Sequence, residues 1–303
     1  MSTSRLTSSA GAPSEITAPN AGRARVGAIE LAAAMALSGT IGVFVIESQA
    51  SPLTVAFARC AVGALALGLW CAARGYVTRP NLSRASSLLI VGGGLCLVAN
   101  WVLLFASYQH TSIGVATVTY HVQPFLLVLF APLVLRESLA VGQLTWVALG
   151  FGGLVLVAQP WTEPLTGGYG RGMIEAVGAA ALYALATLLV KKVQGVRPHI
   201  IALIQLSLGA LILLPLARFG ELSRLEGVPW LLTLGVVHTA VMYVLVYDSY
   251  PRLTTPTIAF LGFIYPVVAV AFDAAVYGHI LSIAQVSGSI LILLAGLGRA
   301  VAR

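Results

Sequence analysis

Thr117, Tyr120, His121 and Pro124 fall at i, i+3, i+4 and i+7 within one apolar stretch, so on a helix they share a face. The chemistry open to that face is recognition rather than bond-making. Two hydroxyls and an imidazole offer donors and acceptors, with Gln123 alongside. Pro124 has no amide N–H, so it loosens the preceding turn and leaves carbonyls that could bond a ligand or water. A plainer reading makes Tyr120 and His121 bonds to neighbouring helices and the proline a kink. The cavity reading is favoured because a matching stretch carries Phe263, Tyr265 and Pro266.

Two other stretches hold residues of the same kinds. Asn100, Trp101 and Tyr108 lie in one, and His238, Tyr243, Tyr247 and Tyr250 in the other. Flat apolar walls with a few convergent polar groups suit an aromatic side chain beside a polar head group. Tyr108, Tyr247 and Tyr250, near the ends of their stretches, also suit the aromatic belt of a membrane interface. Arg59 has three outlets: it can snorkel outward, pair with Glu47, or face a cavity and meet a substrate carboxylate. Structural pairing is the favoured one. No acidic residue falls near the middle of an apolar stretch, so a proton relay would rest on His121 and His238, whose ordinary pKa of about 6.5 permits it. Facilitated movement down the substrate gradient is therefore expected, rather than obligatory proton exchange.

The elements that must position these residues are membrane spans. With 58% hydrophobic and 9% charged residues, and a mean hydropathy of +0.94, the 303-residue chain is far from the composition of soluble proteins. Runs of about 20 apolar residues, enough to cross roughly 30 Å of hydrocarbon, occur near 27–46, 52–73, 86–108, 113–135, 141–159, 171–190, 198–219, 228–250, 255–276 and 281–302. Connections are short, which leaves no room for a separate catalytic domain. Residues 1–25, rich in Ser, Thr, Ala, Pro and Gly, read as a disordered tail without the apolar core of a signal peptide. Cys60, Cys71 and Cys96 all fall in spans, as small packing residues rather than disulfide or metal partners. Gly92 to Gly94, Gly150, Gly152 and Gly153, and Gly288, Gly296 and Gly298 permit close helix contacts. The fifth and tenth runs are otherwise almost purely aliphatic, and are expected to support the polar spans or form a dimer face.

The chain is also duplicated. Pro124 and Pro266 are 142 residues apart, and the same shift lays 100–149 on 242–291 without a gap. It pairs Trp101 with Tyr243, Ser107 with Ser249, Tyr108 with Tyr250, Phe130 with Phe272, Leu139 with Leu281 and Gln143 with Gln285. An odd number of spans per half, about five, inserts the second copy upside down relative to the first, which places a substrate site near the midplane between them. Orientation follows from the 17 basic residues. With both termini cytoplasmic, all lie in inner segments except Arg59, Arg171, Arg218 and Arg224. The formal charge of +7 thus describes topology and not nucleic-acid binding.

One family shares this pattern. Ser51-Pro52-Leu53-Thr54 followed by Arg59, then 108–117 leading into the Pro124 span closed by Arg136-Glu137-Ser138-Leu139, resembles the EamA-type branch of the drug/metabolite transporter superfamily. Arg197-Pro198 with Gln205 occupies the equivalent place in the second half, while Gly278-His279-Ile280-Leu281 departs from the Arg-Glu turn, so no role for that carboxylate carries over. Within the superfamily the chain is similar to exporters of aromatic amino acids of the YddG type.

Other classes fit less well. There is no His-Glu-x-x-His run, Gly-x-Ser-x-Gly elbow or P-loop, which argues against an enzyme. Neither a filter loop nor a ring of like charges suggests a channel. A carrier of other metabolites or cationic drugs, proton-coupled or not, is the serious alternative, because fold does not fix substrate. A phosphate ester would call for several basic residues in the cavity, yet Lys191 and Lys192 sit together in one loop. The expectation is an all-α integral membrane protein of ten helices in two inverted five-helix repeats, 26–165 and 166–303. It exports amino acids, aromatic or otherwise apolar, by alternating access across a bacterial inner membrane, as monomer or homodimer, with no cofactor or metal. The expected substrate-binding residues are Asn100, Trp101, Thr117, Tyr120, His121, Gln123, His238, Tyr243, Phe263 and Tyr265. Arg59, Pro124 and Pro266 are expected to be structural or gating.

Overall fold

The computed structural model describes residues 21–77, 83–135, 141–159, 167–222, 225–253 and 255–301, all helices and connections. Helix α1 is Ala21–Glu47, α2 Pro52–Ala73 and α3 Arg84–His110. Helices α4 (Ile113–Tyr120) and α5 (Gln123–Leu135) form one interrupted span. Then come α6 (Val141–Ala158), α7 (Gly167–Lys191), α8 (Pro198–Leu213) and the short α9 (Phe219–Leu222). Helices α10 (Val228–Gly235) and α11 (Met242–Ser249) are joined by a wider π turn, Val236–Val241. Helices α12 (Thr255–Gly262) and α13 (Ile264–Tyr277) form a second interrupted span, and α14 (Ile283–Val301) ends the described chain.

Local sequence accounts for these boundaries. Ser51 and Arg197 are extended, and each is followed by a proline in the first helical turn, where the missing N–H costs nothing. Ser83 accepts from the Ser86 N–H at 3.0 Å and Ser112 from the Val115 N–H at 3.2 Å, which caps α3 and α4. Both interruptions lie just before a proline. The ring of Pro124 cannot accommodate the carbonyl of Tyr120, and that of Pro266 cannot accommodate the carbonyl of Gly262, so the chain breaks at 121–122 and at Phe263.

Among the described residues, seven segments are long and apolar enough to cross a membrane: Gly22–Glu47, Pro52–Ala73, Arg84–His110, Ile113–Leu135, Gly167–Lys191, Pro198–Leu216 and Val228–Arg252. The remaining three expected spans appear as shorter apolar helices, Leu144–Ala158, Ile264–Tyr277 and Ile283–Gly298. The break at Phe263 shortens the ninth expected span. The Arg136 to Leu139 turn lies outside the described residues, as does nearly all of the expected tail.

Small residues set the closest packing. Helix α7 buries Ala176, Ala179, Ala180, Ala184 and Ala186, and it lies along α3. Helix α2 lies between α8 and α10, and α1 packs on α11 and α13. Helix α6 crosses α14 at Gly153, where an added Cβ would come within 2.7 Å of the Gly288 carbonyl oxygen. Between these helices stands α4, every residue of it buried, in contact with α7 and α13.

Candidate functional site

The polar centre of the bundle is Arg59. Its side chain comes from the second turn of α2 and is only 3% exposed. Its Nε donates to Thr239 Oγ1 at 2.8 Å, and its Nη2 donates to the His238 carbonyl at 3.0 Å. The π turn makes both acceptors available. Thr239 Oγ1 donates in its turn to the Leu234 carbonyl five residues back at 2.8 Å, and His238 Nδ1 lies 3.4 Å from the Thr233 carbonyl, also five back. Gly63 of α2 allows the approach, since a Cβ there would sit 2.7 Å from the Thr239 methyl.

Aromatic rings surround the guanidinium. Its carbon stands 4.3 Å from the centre of the Trp101 ring and 5.9 Å from that of Phe105, within the range of cation–π attraction. Both rings come from α3, while the two acceptors come from the π turn between α10 and α11. Among the described residues no carboxylate pairs with Arg59. Glu47, the expected partner, instead accepts from the Tyr277 hydroxyl at 2.8 Å, while Arg59 turns inward to neutral acceptors that the π turn exposes. The favoured pairing is thus corrected.

The residues expected to share a face on the fourth span are split by the helix break, with Thr117 and Tyr120 inside α4, His121 as its cap and Gln123 and Pro124 opening α5. Thr117 is fully buried beside the phenols of Tyr108 and Tyr265, yet its Oγ1 makes no hydrogen bond of acceptable geometry. Tyr120 packs edge-on against Tyr183, with centroids 6.0 Å apart. With the Asn100 amide oriented so that its nitrogen faces acceptors, it donates to Tyr120 Oη at 3.1 Å and to the Ala179 carbonyl at 2.9 Å. His121 caps α4, its Nδ1 lying 3.2 Å from the Thr117 carbonyl, and its ring lies 5.1 Å from that of Tyr265. Gln123 is half-buried in the first turn of α5.

Other expected residues have different settings. His238 Nε2 lies 2.8 Å from Thr40 Oγ1, and its ring 4.5 Å from that of Phe44, so the imidazole is held by α1 while the His238 carbonyl serves Arg59. Tyr243 stacks obliquely on Tyr247 at 5.6 Å. The Phe263 ring lies against Gly296 of α14, and no contact with the Arg59 cage appears among the described residues. Tyr108 is buried rather than interfacial, whereas Tyr250 is 42% exposed, as a belt residue would be. Thr239, Phe105 and Tyr183 were not singled out from sequence.

The two mouths of the bundle differ. Near the start of α2, a cavity of about 400 Å³ is lined by Val45, Gln49, Ser51, Gln109, Arg218 and Glu221 among others. Glu221 accepts from the Ser51 N–H and the Ser51 hydroxyl, both at 2.8 Å. Partial burial works against its charge, but these bonds, Thr54 and Arg218 hold the Glu221 carboxyl below the usual carboxylate range. At the other end His199 is enclosed by the rings of Trp70, Tyr76 and Tyr247, 5.0 to 5.8 Å away.

Comparison with known proteins agrees with this architecture. The chain matches the EamA-like transporter family twice, over residues 25–159 and 170–298. It is 32% identical to the uncharacterized transporter YxxF of Bacillus subtilis (strain 168), across 87% of this chain and 86% of the relative. It is 28% identical to an uncharacterized transporter of Archaeoglobus fulgidus, across 89% and 94%. A solved crystal structure superposes with a TM-score of 0.64 over 92% of this chain and 97% of its own, at 15% identity, which is a likeness of fold alone. Together with apolar helices long enough to span a bilayer, these matches identify a multi-pass membrane protein, a transporter rather than an enzyme, that belongs to the EamA-like family of the drug/metabolite transporter superfamily.

Proposed function

We propose that the chain is a ten-span, alternating-access carrier that exports aromatic or other apolar amino acids across a bacterial inner membrane, with both termini cytoplasmic and without obligatory proton coupling. The observation that carries the substrate reading is Arg59: a buried cation with neutral protein acceptors and no protein carboxylate among the described residues, walled by aromatic rings. A guanidinium so placed has donors left for a substrate carboxylate, and flat rings for an aromatic side chain. Two successive family matches support the duplicated, inverted arrangement. So does the packing: α3 against α7 has its counterpart in α11 against α1, and α5 against α7 in α13 against α1.

The test is counterflow of labelled tryptophan in liposomes holding the purified full-length protein, with and without an imposed proton gradient. Exchange is expected to be saturable and insensitive to the gradient. Arg59→Gln should reduce it by about 30-fold or more, the scale of losing one partner of a buried charged pair. No exchange of any aromatic amino acid by folded wild-type protein would overturn the amino-acid reading, and strict dependence on the gradient would overturn the facilitative one.

A further inference from the structure

The charge balance of the cage bears on which carboxylates it takes. Arginine remains protonated, so the pocket holds one positive charge. The acidic residues that might offset it are engaged elsewhere. Glu30 pairs with Arg252 at 2.6 Å, Glu47 with the Tyr277 hydroxyl, and Glu175 with His110 and Arg171. Glu221 holds Ser51, Asp248 lies 3.6 Å from His199, and Asp273 accepts from the Gly114 N–H and faces His279 at 3.0 Å. Glu226 is exposed ahead of α10. Among the described residues, then, the guanidinium has no anionic partner.

We infer that the site prefers a substrate carrying one negative charge and no ammonium group: an aromatic monocarboxylate over the amino acid with the same side chain. The inference rests on the proposed role of the Arg59 cage as the head-group site. A monocarboxylate brings the buried pocket to net zero. A zwitterion brings a carboxylate and an ammonium together, so the pocket keeps its single positive charge, now beside a second cation that must also be desolvated. What that ammonium would meet is neutral. Nearby are the His121 imidazole, whose Nδ1 already lies against the Thr117 carbonyl, and the Tyr265 ring that it faces. The Trp101 face, the strongest π surface present, is already covered by the guanidinium at 4.3 Å. Neutral dipoles lower the cost of a buried ion without cancelling it, and in a poorly hydrated site an uncancelled charge is the dominant expense.

Three probes share one phenyl ring and differ in head group: 3-phenylpropanoate, L-phenylalanine and 2-phenylethylamine. In liposomes holding the full-length protein, each is tested as a competitor of labelled tryptophan counterflow near neutral pH. Labelled 3-phenylpropanoate is also followed directly, against protein-free vesicles that report leakage of the neutral acid. The propanoate should half-inhibit at a concentration about tenfold or more below that for phenylalanine, and the amine should not compete. Uptake of the propanoate should respond to a valinomycin-set potassium potential, because net charge moves, while tryptophan uptake should not. Phenylalanine competing as well as or better than the propanoate would overturn the inference and leave the proposed amino-acid export standing. Propanoate counterflow without tryptophan counterflow would support the inference and overturn amino-acid export. Failure of all three probes and of tryptophan would overturn both.

Discussion

Arg59 of α2 and Gln205 of α8 each send a polar side chain to a helix distant in sequence, and the two contacts are unlike. From α2, Arg59 reaches the π turn between α10 and α11 and finds a carbonyl and a hydroxyl. From α8, the equivalent Gln205 reaches α3, where its Nε2 donates to the Ile90 carbonyl at 3.3 Å beside Gly93 and Gly94. One contact needs a distorted helix to supply two acceptors, and the other is content with a regular helix whose glycines let an amide come close. A charged group buried in an apolar bundle requires a specially built socket; a neutral one requires only room. The two positions thus differ through the socket as much as through the arginine.

Three substitutions would break or sharpen that contrast. The largest effect is expected from Gln205→Arg, which puts a cation where α3 offers a single regular carbonyl. Burying it without a second acceptor should cost about 3 kcal/mol or more, read as loss of folded yield and of thermal stability in detergent. An arginine accepted there at little cost would mean that the π turn is not what makes Arg59 tolerable. Thr239→Val is isosteric but removes the acceptor for Arg59 Nε. About 1 to 3 kcal/mol of stability should be lost, with transport impaired further because the guanidinium is no longer fixed. Unchanged melting and transport would show that the socket does not depend on the hydroxyl. The smallest effect belongs to Trp101→Leu, which keeps an apolar though smaller side chain and removes the flat ring under the guanidinium. Transport of tryptophan and phenylalanine should fall more than that of a small aliphatic amino acid, by about 1 kcal/mol. Equal loss for all substrates would assign Trp101 to holding Arg59 rather than to recognising the side chain.

Much of this was legible from residue types, and the exceptions have physical causes. The interruption at Pro124 follows from the missing amide and the ring clash, as the sequence suggested, whereas the break before Pro266 was not expected and Pro132 carries the same chemistry inside α5 without ending it. Burial of Thr117 and Tyr120 follows their place in the fourth span, although α4 ends at Tyr120 and leaves His121 as its cap, and burial of Trp101 follows its depth in the third span. Thr239 was invisible because a π turn leaves no trace in an apolar pattern of period 3.6; only the adjacent His238 hinted that span eight was unusual. Tyr108 looked interfacial by counting residues to the end of its span, but α4 begins again at Ile113 and its buried face covers the phenol. Arg59 was assigned to Glu47 because a charge suggests an opposite charge, whereas backbone carbonyls, which no sequence pattern advertises, took its place. Tyr183, set among alanines and leucines in the second half of α7, was the available signal for the ring that packs edge-on against Tyr120.

The crossing of α6 and α14 has its own implication for how such a chain can change over time. At Gly153 and Gly288 the carbonyl of each stands where the other's Cβ would go, with Ile292 and Leu156 close by, so neither position has room for a side chain. The same seam is matched again where Trp146 of α6 fills the space over Gly298 of α14. New specificity can arise in the cage only while these positions keep small residues and the seam stays in register. Durability there comes from what the two residues lack.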